Sequence, residues 1–255
     1  MDIFCGGFMF LKQENQSVYD TFLETVKNDD AQLKDLCKSE CIRLSEIAKE
    51  YLLDLQTVYS DLLSKTVRKE YSKGGELLPR GFYCPSPIRD IVTGNCKRGK
   101  LYKRLTSGCK PTYEYCFDEN DRLILINYLY SDCTEFLAYS NNTVVGVDFS
   151  KGDENKIIQV IECNYDGDGK IVSFAVAHSC HNDCVFDELE KEVYSYNKDG
   201  LTETEIVHYL SCEESEVVNY EKYNFKHDKD GYLSEYISEP SVFDTTYKVN
   251  IKRRV

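Results

Sequence analysis

From Ser17 to about Tyr71 the apolar positions recur with a helical period. Ser17 is placed to cap a short first helix, and Asp29 or Asp30 a second. The second carries the stripe Cys37, Cys41, Leu44, Ala48, Tyr51, Leu55, Val58, Leu62, whose steps alternate four and three. That is the heptad period. No Gly or Pro interrupts it before Gly74-Gly75. A continuous helix of ~40 residues would run roughly 60 Å, so a bend or break is expected near Lys38-Ser39. Such a stripe can form a coiled-coil seam, which would make a homodimer through residues 37–62. The preferred reading is a helix packed on its own neighbour. Cys37 and Cys41 sit one turn apart, but with no second ligand pair nearby they read as small residues of the packed face.

After residue 111 the period changes. Segments such as "TYEYCF", "RLILINYLY", "KIIQVIECNY", "KIVSFAVAH", "EKEVYSY", "VVNYEKYNF" and "TTYKVNI" are rich in β-branched and aromatic residues, and several alternate with polar ones. This is the pattern of half-buried strands. The apolar run at 122–130 predicts a strand buried more deeply. Between the two regions, residues 73–111 are punctuated by Gly and Pro and hold Arg80, Arg89, Lys97, Arg98, Lys100, Lys103, Arg104 and Lys110. The predicted fold is α+β, with three parts. Residues 1–72 form a helical hairpin, 73–110 a basic connecting segment, and 111–255 an acidic antiparallel sheet of repeated hairpins. The helices would cover one apolar face of that sheet.

The hairpin reading rests on three turns: "YDGDGKI" at 165–171, "YNKDGL" at 196–201 and "FKHDKDGYL" at 225–233. Gly169, Gly200 and Gly231 are spaced 31 and 31 apart. An earlier copy, "FDENDRL" at 117–123, puts Asp121 in the glycine position, 48 residues before Gly169, the same 31 plus a 17-residue insertion around "NNTVVGVDFSKGDENK". An aromatic strand end, an acidic turn and a fresh strand at fixed period indicate a repeated unit. Gly, Asn and Asp tolerate the positive φ such turns require. The pattern resembles the tyrosine–aspartate (YD) repeats of bacterial surface and toxin shells. That resemblance covers about four units and implies a strand–turn–strand sheet, with no activity carried over and no counterpart for the helical half.

The repeats also bear on metal binding. Asn164, Asp166, Asp168, Gly169 and Ile171 begin like an EF-hand, but loop position twelve is Ala175, where a bidentate Glu is required. Zinc at His178, Cys180, His181 and Cys184 uses competent residue types. Their spacing matches no structural zinc pattern, and on a strand His181 would point away from His178 and Cys180. No metal and no cofactor is expected.

Net charge sharpens the functional reading. Residues 1–110 hold 18 Lys+Arg against 15 Asp+Glu, and residues 111–255 hold 13 against 29, so the second part carries 13 − 29 = −16. Such a body repels nucleic acid and membranes and favours a basic partner. Twelve cysteines in a chain of 255 residues do not suggest a small secreted scaffold. The start "MDIFCGGFMFLKQ" lacks a basic region before its apolar run, and no run approaches the roughly 18 apolar residues of a membrane span. The cysteines read as reduced thiols of a cytoplasmic protein, and the 3–11 run as a buried strand. Of the four histidines, none lies in a nucleophile or HExxH signature, and the basic segment matches neither GxxxxGK[ST] nor GxGxxG. The expectation is a non-catalytic protein-binding module, such as an immunity-type protein masking a basic toxin. Its recognition residues would be Asp166, Asp168, Asp199, Asp228 and Asp230. The alternative is a hydrolase or transferase acting on a phosphorylated small molecule. It would bind the anion through the 80–104 stretch with Arg80, Arg89, Lys97, Arg98, Lys103 and Arg104. Against it stands the simpler account of a basic segment lying on the acidic half of the same chain.

Overall fold

The computed structural model describes residues 30–93, 96–152, 156–179, 185–212, 215–239 and 246–249. The 3–11 run, the Ser17 and Asp29 caps, Cys180, His181 and Cys184 lie outside the described residues. Helices α1 (Asp30–Leu52) and α2 (Leu55–Ser64) come first, then strand β1 (Arg68–Lys73). A Gly/Pro-punctuated stretch follows, with a single 3-10 turn (Gly81–Tyr83), a one-turn helix α3 (Arg89–Val92) and strand β2 (Lys100–Leu101). Eleven further strands follow among the described residues: β3 (Tyr113–Phe117), β4 (Leu123–Tyr128), β5 (Cys133–Ser140), β6 (Thr143–Ser150), β7 (Ile157–Tyr165), β8 (Ile171–His178), β9 (Glu188–Asn197), β10 (Gly200–Cys212), β11 (Ser215–His227), β12 (Leu233–Glu239) and β13 (Thr246–Lys248). All thirteen strands form one antiparallel sheet in the order β13 through β3, then β1 and β2. The molecule is α+β with a dominant sheet.

Period-2 alternation assigns each strand's side chains to two faces. On β6, Val145, Val147 and Phe149 turn to the helices, while Val144, Gly146 and Asp148 face away from them. The stripe of α1 and α2 meets the first face: Leu33, Cys37, Cys41, Leu44, Ala48 and Leu55 are buried against Phe136, Val147, Phe149, Val160 and Val207, with Tyr51, Val58 and Leu62 packed alongside. Tyr51 meets the Phe136 ring edge-on at 5.0 Å between centroids. The heptad face thus lies on the protein's own sheet. The helix breaks at Leu53-Asp54 and not near Lys38-Ser39, because Leu53 points to solvent and the stripe resumes only at Leu55.

Helical structure ends at Ser64, and residues 68–73, expected to continue it as far as Tyr71, instead form β1. The alternating "RKEYSK" fits either period. Its pairing with β3, from Arg68 opposite Phe117 to Ser72 opposite Tyr113, settles the matter. The stretch read as an insertion supplies β6, which pairs with β5 before it as a hairpin with eight paired positions. The 74–111 segment covers part of the second face. Ile88 and Ile91 join Ile161, Phe174 and Tyr194 there, and Phe82 and Tyr83 pack on Tyr113, Tyr115 and Phe117.

Candidate recognition rim and buried anchors

An antiparallel meander returns to the same edge at every second connection. The turns β3–β4, β5–β6, β7–β8, β9–β10 and β11–β12 therefore share one rim. Adjacent turns are two strand spacings apart, roughly 10 Å. Three of them close alike. The backbone N–H groups of Asp118, Asp166 and Asp228 donate to the carbonyls of Arg122, Lys170 and Tyr232 at 3.0, 2.8 and 2.8 Å. Each aspartate's Oδ1 also accepts two N–H groups from its own turn: Asn120 and Arg122, Asp168 and Lys170, Asp230 and Tyr232. The third residue on, Asp121, Gly169 or Gly231, is left-handed with φ of 61°, 78° and 77°. These are Asx-stapled turns.

Two details differ from the sequence alignment. His227 occupies the position that Phe117 and Tyr165 hold before the turn aspartate, each beside a bulge, while Phe225 lies one pleat earlier. The Gly200 turn is tighter: Gly200 pairs directly with Asn197, whose Oδ1 accepts the Asp199 N–H at 2.7 Å.

Of the five aspartates singled out for recognition, Asp166 and Asp228 therefore use their carboxylates to hold their own turns, and Asp168, Asp199 and Asp230 are exposed. Asp199, Asp228 and Asp230 come together in an open cleft of about 780 Å³ between the β9–β10 and β11–β12 turns. Its lining also holds Lys198, Lys226 and Lys229, three lysines against the three aspartates, together with His227 and Phe225. Asp166 and Asp168 stand on the next turn of the rim.

The basic residues are distributed differently. Arg80 is 3% exposed and bonds Glu135, which is wholly buried, at 2.7 Å. Burial opposes its charge, but the Glu135 carboxylate keeps the guanidinium firmly protonated. Arg89 is also buried. It pairs with Glu192 at 2.9 Å and with Glu190, and lies over the Phe174 ring. Glu192 further accepts from Ser86 at 2.6 Å and Tyr194 at 2.5 Å. Arg98 donates to the Cys84 and Ser86 carbonyls and to Asp90. These three arginines fasten the segment to the sheet or to itself, whereas Lys97, Lys103 and Arg104 are exposed. Sequence reasoning did not find the partners Glu135, Glu190 and Glu192. The signal for Glu135 is a lone charge on β5, whereas Glu190 and Glu192 stand in the charged run "ELEKE" of β9, where nothing marks them.

Burial pushes the Cys37, Cys41 and Cys163 thiols up to about 12, and those of Cys84 and Cys116 to about 11. They are inert packing groups at neutral pH. His178 Nε2 lies 2.7 Å from Glu188 Oε2, and His208 Nδ1 lies 4.0 Å from Glu190 Oε2. Ala175, at the twelfth position of the calcium-like stretch, is buried under the helices. No group of three or more His, Cys, Asp or Glu among the described residues is arranged to hold a metal ion. No described helix is long and apolar enough to cross a membrane. The chain matches no family model and no curated protein.

Proposed function

We propose that the chain is a non-catalytic protein-binding module whose acidic turn rim receives a basic protein. The observation that supports this reading is the −16 charge of residues 111–255, with Asp168, Asp199 and Asp230 exposed together on one rim of the sheet. A concentrated negative field steers a cationic partner and raises its on-rate by roughly 10–10³. An immunity-type role, in which the rim masks a basic toxin inside the cytoplasm, fits this chemistry. The common hydrogen-bond pattern of the Asp118, Asp166 and Asp228 turns supports a repeated strand–turn–strand unit of the YD type. Anion binding by the 80–104 stretch is the weaker reading, since Arg80, Arg89 and Arg98 are engaged within the chain.

The test uses a lysine- and arginine-rich peptide as the basic probe, with association followed at low and high salt. Combining Asp168→Asn, Asp199→Asn and Asp230→Asn should slow association about tenfold at low salt and flatten its salt dependence. A charge-matched set on the helices, Glu46→Gln, Glu50→Gln and Asp61→Asn, should have little effect. Neutralising Lys97, Lys103 and Arg104 should leave binding intact. Equal losses from the rim and helix sets would reduce the rim to diffuse negative charge and sink the proposal.

A further inference from the structure

Beneath the 74–111 segment, two carboxylates face each other across neighbouring strands. Glu135 of β5 and Asp148 of β6 are direct cross-strand partners, 0% and 5% exposed. Directly opposed side chains on one face have Cβ atoms only about 5 Å apart. Glu135 is fully provided for. Its Oε1 takes Arg80 at 2.7 Å, and its Oε2 accepts from the Tyr128 hydroxyl at 3.2 Å. Gly146, beside them, leaves the space for this pair, since a Cβ there would fall within the Glu135 carboxylate and against Arg80.

Asp148 has no such provision. Its Oδ2 accepts a hydrogen bond from Gln159 of β7 at 3.1 Å, its Oδ1 is buried with no partner at hydrogen-bond distance, and the Phe149 backbone N–H is the one other group nearby that favours its charge. Among the described residues, the groups around it supply no second cation. Glu135 comes from β5, Gln159 from β7 and Tyr128 from β4. Tyr130 and Cys133 stand at the β4–β5 rim, and Asp132 and Lys151 lie beyond Cys133. Arg80, from the covering segment, is directed to Glu135. Two buried anions with one cation between them would carry an uncompensated charge in a low-dielectric site.

We propose that Glu135 and Asp148 hold one proton between them, and that this proton locks the 74–111 segment onto the sheet. Burial, and then the neighbouring Glu135, raise the Asp148 pKa well above its ordinary value, which places the proton on Asp148. The folded state then binds one proton more than the unfolded state, whose carboxyl titrates near ~3.9. The stabilisation is complete below that value and is lost as pH rises through the folded pKa, by up to about tenfold in the folding equilibrium per pH unit. Once Asp148 ionises, the Arg80–Glu135 contact competes with a second anion and water is drawn to the site. The local bonds at risk are Gly81 N–H to the Leu78 carbonyl at 2.9 Å and Phe82 N–H to the Tyr115 hydroxyl at 3.1 Å.

The experiment compares wild type, Asp148→Asn and Glu135→Gln between pH 5 and 7.5, so that every other titrating group is common to the three proteins. Infrared difference spectra of wild type against D148N at pH 7 should show a protonated carboxylic acid. Wild-type stability in urea should fall with pH relative to D148N, and the Gly81 and Phe82 amides should lose protection in step, after correction for intrinsic exchange. E135Q removes the neighbouring anion and should shift the titration of the wild type to lower pH, which provides an independent reading should D148N fail to fold. Absence of the acid band, or pH profiles unchanged by either substitution, would overturn the proposal.

Discussion

Gly146 shows how much one residue's missing atom can hold in place. It is a small residue in a strand whose helix-facing neighbours, Val145 and Val147, are buried β-branched residues. Its own face meets Arg80 and Glu135, which need the volume a Cβ would take. Gly146→Ala should destabilise the fold by about 3–5 kcal/mol, the range for breaking a buried ion pair, measured by urea unfolding. A loss of a few tenths would mean that the pair can shift aside at little cost. Arg80 adds a second constraint, because it holds φ of 61°, a left-handed conformation that disfavours side chains with a Cβ. Neither feature is legible in sequence. Arg80 and Glu135 lie 55 residues apart with no spacing rule to join them, and the pattern shows Arg80 only as one of eight basic residues.

Among elements, the strands were the most readable, since each named segment from "TYEYCF" to "TTYKVNI" overlaps a strand of the sheet. Period-2 alternation is a local property, imposed by one covered face. The helix–strand boundary after Ser64 was less readable, because "RKEYSK" takes its identity from its partner β3 and not from its own composition. Turn chemistry was visible as a residue pattern, whereas the division of labour within a turn was not. Asp166 accepts two backbone N–H groups, while Asp168 lies exposed two residues on. Asp166→Ala should therefore cost about 1 kcal/mol, as losing a capping carboxylate does. Asp168→Ala should stay within ~0.5 kcal/mol. Asp166→Asn, which keeps the acceptor oxygen, should fall between them. Chemical denaturation of the three variants checks the order, and equal costs for the two alanine variants would remove the staple from the account.

At the scale of the molecule, the sheet is held between two unlike covers, and each is fastened by ion pairs that sequence spacing could not reveal. On the helix side, Arg43 reaches Glu162 of β7 at 2.9 Å, and Lys191 of β9 reaches Glu40 of α1 at 2.9 Å. Glu40 and Lys191 are buried, so their attraction is poorly screened. Burial alone would raise the Glu40 pKa, but Lys191 and Arg43 beside it hold the carboxyl well below its usual range. A carboxyl depressed on folding stabilises the protein above its unfolded value of ~4.3, and that contribution disappears as pH falls through the folded value. Glu40→Gln keeps the shape and removes the charge, so it should cost about 3 kcal/mol at pH 7 and leave a shallower loss of stability below pH ~4. Lys38 pairs with Glu216 of β11 at 3.0 Å in an exposed position, where screening makes the contact weak. Lys38→Ala should therefore leave stability almost unchanged. Thermal melts of both variants at pH 7 and pH 3.5 distinguish the two contacts. If E40Q and wild type lose stability in parallel as acid is added, the helices are held to the sheet by apolar packing alone.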